Sequence, residues 1–96
     1  LAAMERVGMT VDLSHCADRT TLDGIAAAKK PPVFTHAAAR GLMPGYTRCK
    51  SDEAIRALAQ KGGVMGIAFI RFMIRPEPPV TVEHVVDHID YVIRLV

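Results

Sequence analysis

Two histidines end two short apolar runs in this sequence, His15 after MTVDLS and His36 after PPVFT. Residues 18–30, which lie between them, are enough for one helix. Parallel strands need a long connection of this kind, and such crossovers are nearly always right-handed. The order strand, helix, strand therefore predicts two adjacent parallel strands that end at the same edge of a sheet. Because ligands and metal ions bind at that edge in α/β proteins, the two imidazoles are a candidate metal site.

The composition excludes several classes of protein. The 96 residues are 50% hydrophobic and 23% charged, which is typical of a globular chain and not of a disordered one. The net charge is only +2, with Lys and Arg scattered along the chain, so nucleic-acid binding is not expected. No apolar run approaches the roughly 20 residues of a membrane span, and the first residues lack the pattern of a signal peptide. We therefore expect no membrane segment in this chain.

The two cysteines do not form a metal-binding pattern or a disulfide framework. Their spacing therefore leaves the redox compartment open. Cys16 follows His15 directly, and we interpret it as a small buried apolar residue beside the site, since free cysteine behaves as a small hydrophobe.

The rest of the chain continues an alternation of helices and strands. Apolar periodicity predicts three strands, the last of them apolar on both faces: residues 9–14, 33–35 and 64–69. Helix signals predict four helices, the second capped by Asp18 and the third ended by Gly62 and Gly63: residues 1–7, 18–30, 51–61 and 81–96. Residues 37–50 and 70–80 are expected to be loops, and the long first loop is a candidate functional segment.

This order predicts an α/β fold with parallel strands, but three strands rarely make a complete sheet of that type. The strand ends are spaced close to the roughly 30 residues per βα unit of an eightfold barrel of about 250 residues. The chain also begins and ends within expected helices. We therefore expect residues 1–96 to be an internal segment of a single (β/α)8 TIM-type barrel, with about three βα units and no complete domain boundary.

The last helix carries a second pair of histidines, His84 and His88, four residues apart. No HExxH motif is present, so the pair is assigned to a solvated helix face. The opposite, apolar face is expected to pack on the core, and it consists of Val82, Val85, Val86, Ile89 and Ile93. Arg71 and Arg75, in the loop after the third strand, are interpreted as solvated charges.

Three runs of the sequence, VDLSH, PPVFTHAAAR and TRCKSDEAIRALAQKGGVMGIAF, resemble the renal or membrane dipeptidase family of metallopeptidases. The resemblance extends over residues 7–96, and the motifs agree in order and spacing. It implies an amidohydrolase-like (β/α)8 barrel with two zinc ions. It also implies hydrolysis of dipeptides by metal-activated water, including dipeptides with a D-residue at the carboxyl end.

The resemblance assigns roles to individual residues. It implies that His15 and His36 are ligands of one of the two zinc ions, and that Arg48 holds the terminal carboxylate of the substrate. Cys49 stands where the family usually has Asn, whereas Asp52 and Glu53 match the acidic pair of the family. Because the attacking group is water, no side chain of this segment is expected to be catalytic itself. Asp12 is interpreted as a partner that orients a ligand histidine, since an unpaired buried carboxylate is costly.

The same resemblance implies further site residues that these 96 residues do not contain: an H-x-D ligand pair, a metal-bridging Glu and an Asp that handles protons. A catalytic zinc needs about three protein ligands and an open position. We therefore expect this segment to carry half of the site and to be inactive alone.

Two other functions stay open from the sequence. One is a non-catalytic α/β binding module or a degenerate barrel relative, which Cys49 favours, whereas the two histidines and Arg48 oppose it. The other is a different amidohydrolase-like barrel that acts on cyclic amides or amines, against which the TRCKSDE loop argues. The expected partner is a dipeptide, and a homo-oligomer of the full-length protein is compatible with the resemblance. The sequence does not determine a localisation, although the cytoplasm is favoured for a bacterial-type member.

Overall fold

The computed structural model describes all 96 residues and has an α/β fold with a parallel sheet, as predicted. In chain order its elements are α1 (Ala2–Arg6), α2 (Asp18–Ala27), β1 (Val33–Ala37), a 3-10 turn (Arg40–Leu42), α3 (Asp52–Gln60), β2 (Val64–Ile67), α4 (Arg71–Ile74) and α5 (Val82–Leu95). Strands β1 and β2 pair in parallel, with Val33 opposite Val64 and Ala37 opposite Ile67. None of the helices combines the length and the apolarity that crossing a bilayer requires.

The sheet has two strands, one fewer than predicted. Residues 9–14 form only an isolated parallel bridge, between Asp12 and Val33. Two backbone hydrogen bonds of 2.9 Å, from Leu13 N to Val33 O and from Val33 N to Val11 O, still hold this segment beside β1. The chain turns immediately afterwards, because Cys16 N bonds back to Leu13 O at 3.1 Å. The segment therefore lies parallel to β1, as predicted, but is too short to form a ladder.

The pairing of β1 with β2 is irregular where His36 lies. The register shifts between Phe34 and Ala37, so Thr35 and His36 lie within the irregular stretch. Irregularities of this kind redirect side chains near functional sites. Gly66 lies so close to the carbonyl oxygen of Thr35 that an added Cβ would collide with it. A residue without a side chain is thus needed on β2 beside His36.

Two clusters of buried apolar residues form the core. The first packs α2 and α3 against β1 and consists of Val11, Leu13, Ile25, Phe34, Ala37, Ala54 and Leu58. The second lies beyond the end of β1 and consists of Ala38, Met43, Cys49, Ala68, Met73, Ile74 and Val85. The boundary between the clusters falls between Ala37 and Ala38, immediately after His36. Strand β2 differs from the prediction, since its first residue, Val64, is 67% exposed and the strand is not buried on both faces.

The helix starts follow the sequence signals with one exception, and α2 ends at Ala27, three residues before the predicted end at residue 30. The Ser51 side chain accepts a hydrogen bond of 3.2 Å from Ala54 N and so caps α3, and Gly62 follows its end with a φ of 75°. The expected cap of α2 is wrong, because Ala17 occupies the cap position and makes no side-chain bond. Asp18 instead binds Arg40, as described below. Within the expected loop 70–80, the structure has the single-turn helix α4.

Helix α5 faces the core with a different side from the one predicted. Val85 and His88 are buried, whereas the other apolar residues of the stripe are exposed: Val82, Val86, Ile89 and Ile93. His88 Nδ1 accepts a hydrogen bond from Ala39 N at 3.0 Å, and its Nε2 donates to Ile74 O at 2.9 Å. Buried main-chain groups need partners, and this imidazole supplies two of them. The assignment of His88 to a solvated face is therefore wrong.

We expect His88→Leu to lower the free energy of unfolding by about 2–6 kcal/mol, because each buried polar group left unpaired costs about 1–3 kcal/mol and the variant leaves two, Ala39 N and Ile74 O. Urea unfolding of the variant measures the loss. Val86→Ala, at an exposed position on the same helix, is the control and should stay within about 0.5 kcal/mol. Similar losses in both variants would contradict the role of the two hydrogen bonds.

Candidate metal centre

The end of β1 and the turn of residues 13–16 bring His15 and His36 together. Their Nε2 atoms lie 2.6 Å apart, and their ring centroids are 4.7 Å apart. His15 is the third residue of its turn and is exposed, whereas His36 is half-buried. The two histidines that the sequence singles out are thus in direct contact at one edge of the sheet.

A chain of hydrogen bonds fixes the tautomer of His36. Thr35 Oγ1 donates to Asp12 Oδ2 at 2.6 Å and contacts His36 Nδ1 at 2.8 Å. A hydroxyl carries one proton, so Thr35 must accept from His36 while it donates to the carboxylate. The Nδ1 atom of His36 therefore carries the ring proton. Its Nε2 atom carries a lone pair, which is the form in which imidazole binds a metal, and this lone pair faces His15 Nε2.

The carboxylate of Asp12 anchors this chain. Its Oδ1 accepts from Ser14 Oγ at 2.6 Å, from Ser14 N at 2.9 Å and from Thr35 N at 3.3 Å. Burial acts to raise the pKa of Asp12, but the hydrogen bonds from Ser14 and Thr35 outweigh it and hold the pKa well below its usual range. Asp12 is therefore ionised at neutral pH and always accepts. The structure links it to His36 through Thr35, a residue that the sequence reasoning did not name.

Arg48 lies against the other side of His15. It is the third residue of a turn in which Cys49 N bonds to Tyr46 O at 3.0 Å, and it is exposed. Its Nη2 atom is 2.7 Å from His15 Nδ1. A guanidinium only donates, so Nδ1 of His15 is the acceptor in this contact. The imidazole and the guanidinium line one side of a cavity of about 260 Å³.

The donor set fits part of a zinc site. Imidazole nitrogen is a preferred zinc ligand, and a catalytic zinc takes about three protein ligands. Two nitrogens on one tetrahedral zinc, at about 2.0–2.1 Å each, lie about 3.3 Å apart. The two rings, whose Nε2 atoms are 2.6 Å apart, would need to separate by less than about 1 Å, and His15 would give up the Nε2 proton that its contact with Arg48 leaves there. No cluster of three or more His, Cys, Asp or Glu side chains forms anywhere in the chain.

Neither cysteine joins the two histidines. Cys49 is fully buried, its Sγ lies 3.5 Å from Met73 O, and burial raises the pKa of its thiol to about 11. Cys16 is half-buried and packs against the first core cluster. The residue at position 49 thus faces the core while its neighbour Arg48 faces the site, so the thiol does not alter the groups at the edge of the sheet.

The charged residues after β2 lie away from these groups. Arg75 Nη1 donates to Pro79 O at 3.0 Å and contacts His84 Nε2 at 3.1 Å. His84 Nδ1 accepts from Thr81 N at 3.0 Å, which caps the start of α5. This arginine and this histidine therefore order a loop, whereas Arg71 is exposed, as predicted.

Comparison with known proteins places the chain in a family. The family model for membrane dipeptidase (peptidase family M19) matches residues 1–96. Dipeptidase tcpJ of Claviceps purpurea (strain 20.1) is 37% identical over 90 residues, which cover 93% of this chain and 21% of the relative. The chain thus spans about a fifth of the length of the curated relatives it matches.

Solved structures of metallopeptidases and amidohydrolases superpose on this chain. An amidohydrolase from Pseudomonas aeruginosa superposes with a TM-score of 0.89 at 32% identity, over 98% of this chain and 29% of that chain. A metallo peptidase from Rhodobacter sphaeroides, liganded with a phosphinate mimic of the dipeptide L-Ala-D-Ala, superposes with a TM-score of 0.88 at 26% identity, over 97% of this chain and 27% of that chain. Since the family model matches from the first residue to the last, the chain belongs to the membrane dipeptidase family, peptidase family M19.

Proposed function

We propose that the protein containing this chain is a zinc-dependent dipeptidase. In this proposal His15 and His36 bind one of two zinc ions, and Arg48 binds the terminal carboxylate of the dipeptide. The observation that carries it is the convergence of three groups, with the two Nε2 atoms 2.6 Å apart and the guanidinium 2.7 Å from the ring of His15. The names of the curated relatives, which are dipeptidases, support the same activity.

The proposed architecture is a (β/α)8 barrel of which residues 1–96 supply about three βα units. The parallel pairing of β1 with β2 supports it, as does the parallel alignment of residues 9–14 with β1. In such barrels the active site lies at the carboxyl ends of the strands. His15 and His36 both lie there, and the remaining metal ligands would come from other strands of the barrel.

Each group of the chain has a separate part in the proposed mechanism. Zinc, when bound, supplies a Lewis acid and lowers the pKa of a bound water to about 7. Asp12 and Thr35 hold the proton of His36 on Nδ1, so that Nε2 carries the lone pair. The guanidinium of Arg48 provides two parallel donors that match a carboxylate. A substrate held by its terminal carboxylate has its peptide bond at a fixed distance, which selects dipeptides over longer peptides.

The proposal extends to dipeptides whose second residue is a D-amino acid. A carboxylate bound by Arg48 leaves the second side chain to be accommodated by the cavity, which is open on this chain. The Rhodobacter sphaeroides structure holds a mimic of L-Ala-D-Ala, which supports the inclusion of such substrates.

The test is a dipeptidase assay of the zinc-loaded full-length protein. We expect release of alanine from L-Ala-D-Ala and L-Ala-L-Ala, two zinc ions per chain, and loss of turnover after chelation. Residues 1–96 alone should give no turnover, because they supply two of about three ligands for one zinc. A full-length protein that binds zinc but cleaves no dipeptide would favour the binding module, and turnover by residues 1–96 would refute the incomplete site.

A further inference from the structure

Lys50 is a buried cation without a carboxylate partner. It is 2% exposed, and its Nζ donates to Leu13 O at 2.7 Å, to Cys16 O at 2.8 Å and to Thr21 Oγ1 at 3.1 Å. The ammonium also lies 4.9 Å from the centroid of the Phe34 ring. Burial of a charge is costly, and here neutral acceptors supply every hydrogen bond of the ammonium. All three protons of the ammonium are used, so Lys50 has none left for a substrate.

The two carbonyl groups that Lys50 binds lie on both sides of His15. Leu13 and Cys16 are the first and last residues of the turn that carries this histidine, and Cys16 N closes the turn on Leu13 O. The ammonium thus links the first and last residues of the same turn a second time, from the core side. A turn fixed at both ends holds the Cα–Cβ bond of His15 in one direction.

Arg40 makes the corresponding contacts around Arg48. Its Nε and Nη2 donate to Cys49 O at 2.9 Å and 2.7 Å, and its Nη2 also donates to Thr47 O at 3.1 Å. Its Nη1 and Nη2 also donate to the Asp18 carboxylate, at 2.6 Å and 2.8 Å. The carbonyl groups of Thr47 and Cys49 flank Arg48, so this guanidinium fixes the main chain on both sides of it.

Arg40 and Lys50 lie on two short backbone segments that are paired with each other. Arg40 N bonds to Lys50 O at 2.9 Å and Lys50 N bonds to Ala38 O at 2.8 Å, around an isolated bridge between Ala39 and Lys50. Ala38 follows β1 within two residues of His36. One short piece of paired backbone therefore carries both cations.

We propose that Lys50 and Arg40 are positioning residues that set the separation between His15 and Arg48. Lys50 fixes the turn that presents the imidazole, and Arg40 fixes the turn that presents the guanidinium. The inference rests on the proposed function, because it assigns the two cations to the metal-binding side and to the carboxylate-binding side of the same site. A dipeptide spans those two sides, so their separation determines which substrate length fits.

The experiment compares Lys50→Met and Arg40→Met in the full-length protein. Zinc dissociation constants are measured by chelator competition, and KM and kcat are measured with L-Ala-D-Ala at saturating zinc. We expect Lys50→Met to weaken zinc binding about 10- to 100-fold, as is typical when a partner that orients a ligand is lost, with little change in KM. Arg40→Met should raise KM about tenfold and leave zinc affinity within about twofold, because Arg48 binds substrate and not metal.

Matched controls remove a cation that contacts neither turn. Lys30→Met and Arg19→Met change side chains on the surface, where Arg19 pairs only with Asp23, and both should behave as the parent protein. Lys50→Arg, which keeps a cation, should retain more zinc affinity than Lys50→Met. Equal changes in zinc affinity and KM in both methionine variants would indicate a general loss of structure and overturn the proposal.

Two milder variants carry the same test if a methionine variant does not fold. Thr21→Val removes one hydrogen-bond acceptor of Lys50, and Asp18→Asn removes the charge that pairs with Arg40. Both cations remain. We expect Thr21→Val to affect zinc affinity and Asp18→Asn to affect KM, each by about threefold to tenfold. No separation of the two effects would again overturn the proposal.

Failure of the proposed function is distinguishable from failure of this inference. If the parent protein cleaves no dipeptide, the ¹⁵N signals of the His15 imidazole still report its contact with Arg48, and Lys50→Met should alter them whereas Lys30→Met should not. Unaltered signals would overturn the positioning role of Lys50. If the parent protein binds zinc and cleaves dipeptides but Lys50→Met keeps full zinc affinity, the inference alone fails.

Discussion

His36→Ala in the full-length protein is expected to lower kcat/KM for L-Ala-D-Ala by about 10³-fold or more and to remove one zinc ion per chain. A catalytic metal contributes several kcal/mol of transition-state stabilisation, and each 1.36 kcal/mol corresponds to about a factor of ten in rate. The substitution removes the only Nε2 atom that the structure holds ready, through Thr35 and Asp12, to accept a metal. It also leaves the Thr35 hydroxyl without its donor.

The measurement combines metal analysis by mass spectrometry with steady-state kinetics. His84→Ala is the control, because it removes an imidazole that contacts Arg75 and Thr81 and lies away from β1. The control should keep the zinc content and turnover of the parent. Unchanged zinc content in His36→Ala would overturn the assignment of this residue as a ligand, whatever happens to the activity.

Arg48→Met is expected to lower kcat/KM for a dipeptide by about 10²- to 10³-fold, because truncating one partner of a charge pair costs about 2–5 kcal/mol. The zinc content should not change. The same variant should lose less than about threefold on the corresponding dipeptide amide, which has no terminal carboxylate for a guanidinium to bind. The comparison of acid and amide isolates the contact from any general effect on the fold.

Arg56→Met, which changes an exposed arginine on α3, is the matched control and should cleave both substrates as the parent does. Equal losses on the acid and the amide in Arg48→Met would contradict carboxylate binding. The residue would then act only through its contact with His15, which the zinc affinity would reveal.

Local signals were sufficient to predict the edge of the sheet where the histidines meet. Alternating apolar residues and a helix-length connection predict that residues 9–14 run parallel to β1, and the parallel bridge between Asp12 and Val33 confirms that direction. The short strand before His15 was only partly correct, because the turn closed by Cys16 N ends the pairing after one bridge. Sequence periodicity predicts direction and face well, but it does not show where a turn will interrupt a ladder.

Lys50 and His88 could not have been placed from the sequence. A lysine in a long loop is nearly always solvated, and Lys50 is buried only because carbonyl groups from residues 13 and 16 converge on it. His88 is buried for a similar reason, since Ala39 N and Ile74 O lack other partners. In both cases the side chain is buried because it binds main-chain groups that are distant in the sequence. A periodic pattern of apolar residues contains no information about such contacts.

The stripe on α5 illustrates a further limit. Four of its five apolar residues are exposed, and only Val85 joins the second core cluster. An amphipathic pattern shows that a helix has an apolar face, but it does not identify the surface against which that face packs. Here the polar groups that required His88 determined the orientation of the helix.

The division of the core into two clusters affects how the site can open. Leu13, beside His15, and Ala37, after His36, belong to the first cluster, whereas Cys49, beside Arg48, belongs to the second. Proteins open locally in cooperative units, which hydrogen exchange detects as groups of amides with a common protection. Lys50 follows Cys49 and binds Leu13 O and Cys16 O, so it joins the second cluster to the turn of His15. A fluctuation that carries Arg48 away should therefore also loosen the turn that carries this histidine, and the two sides of the site should open together.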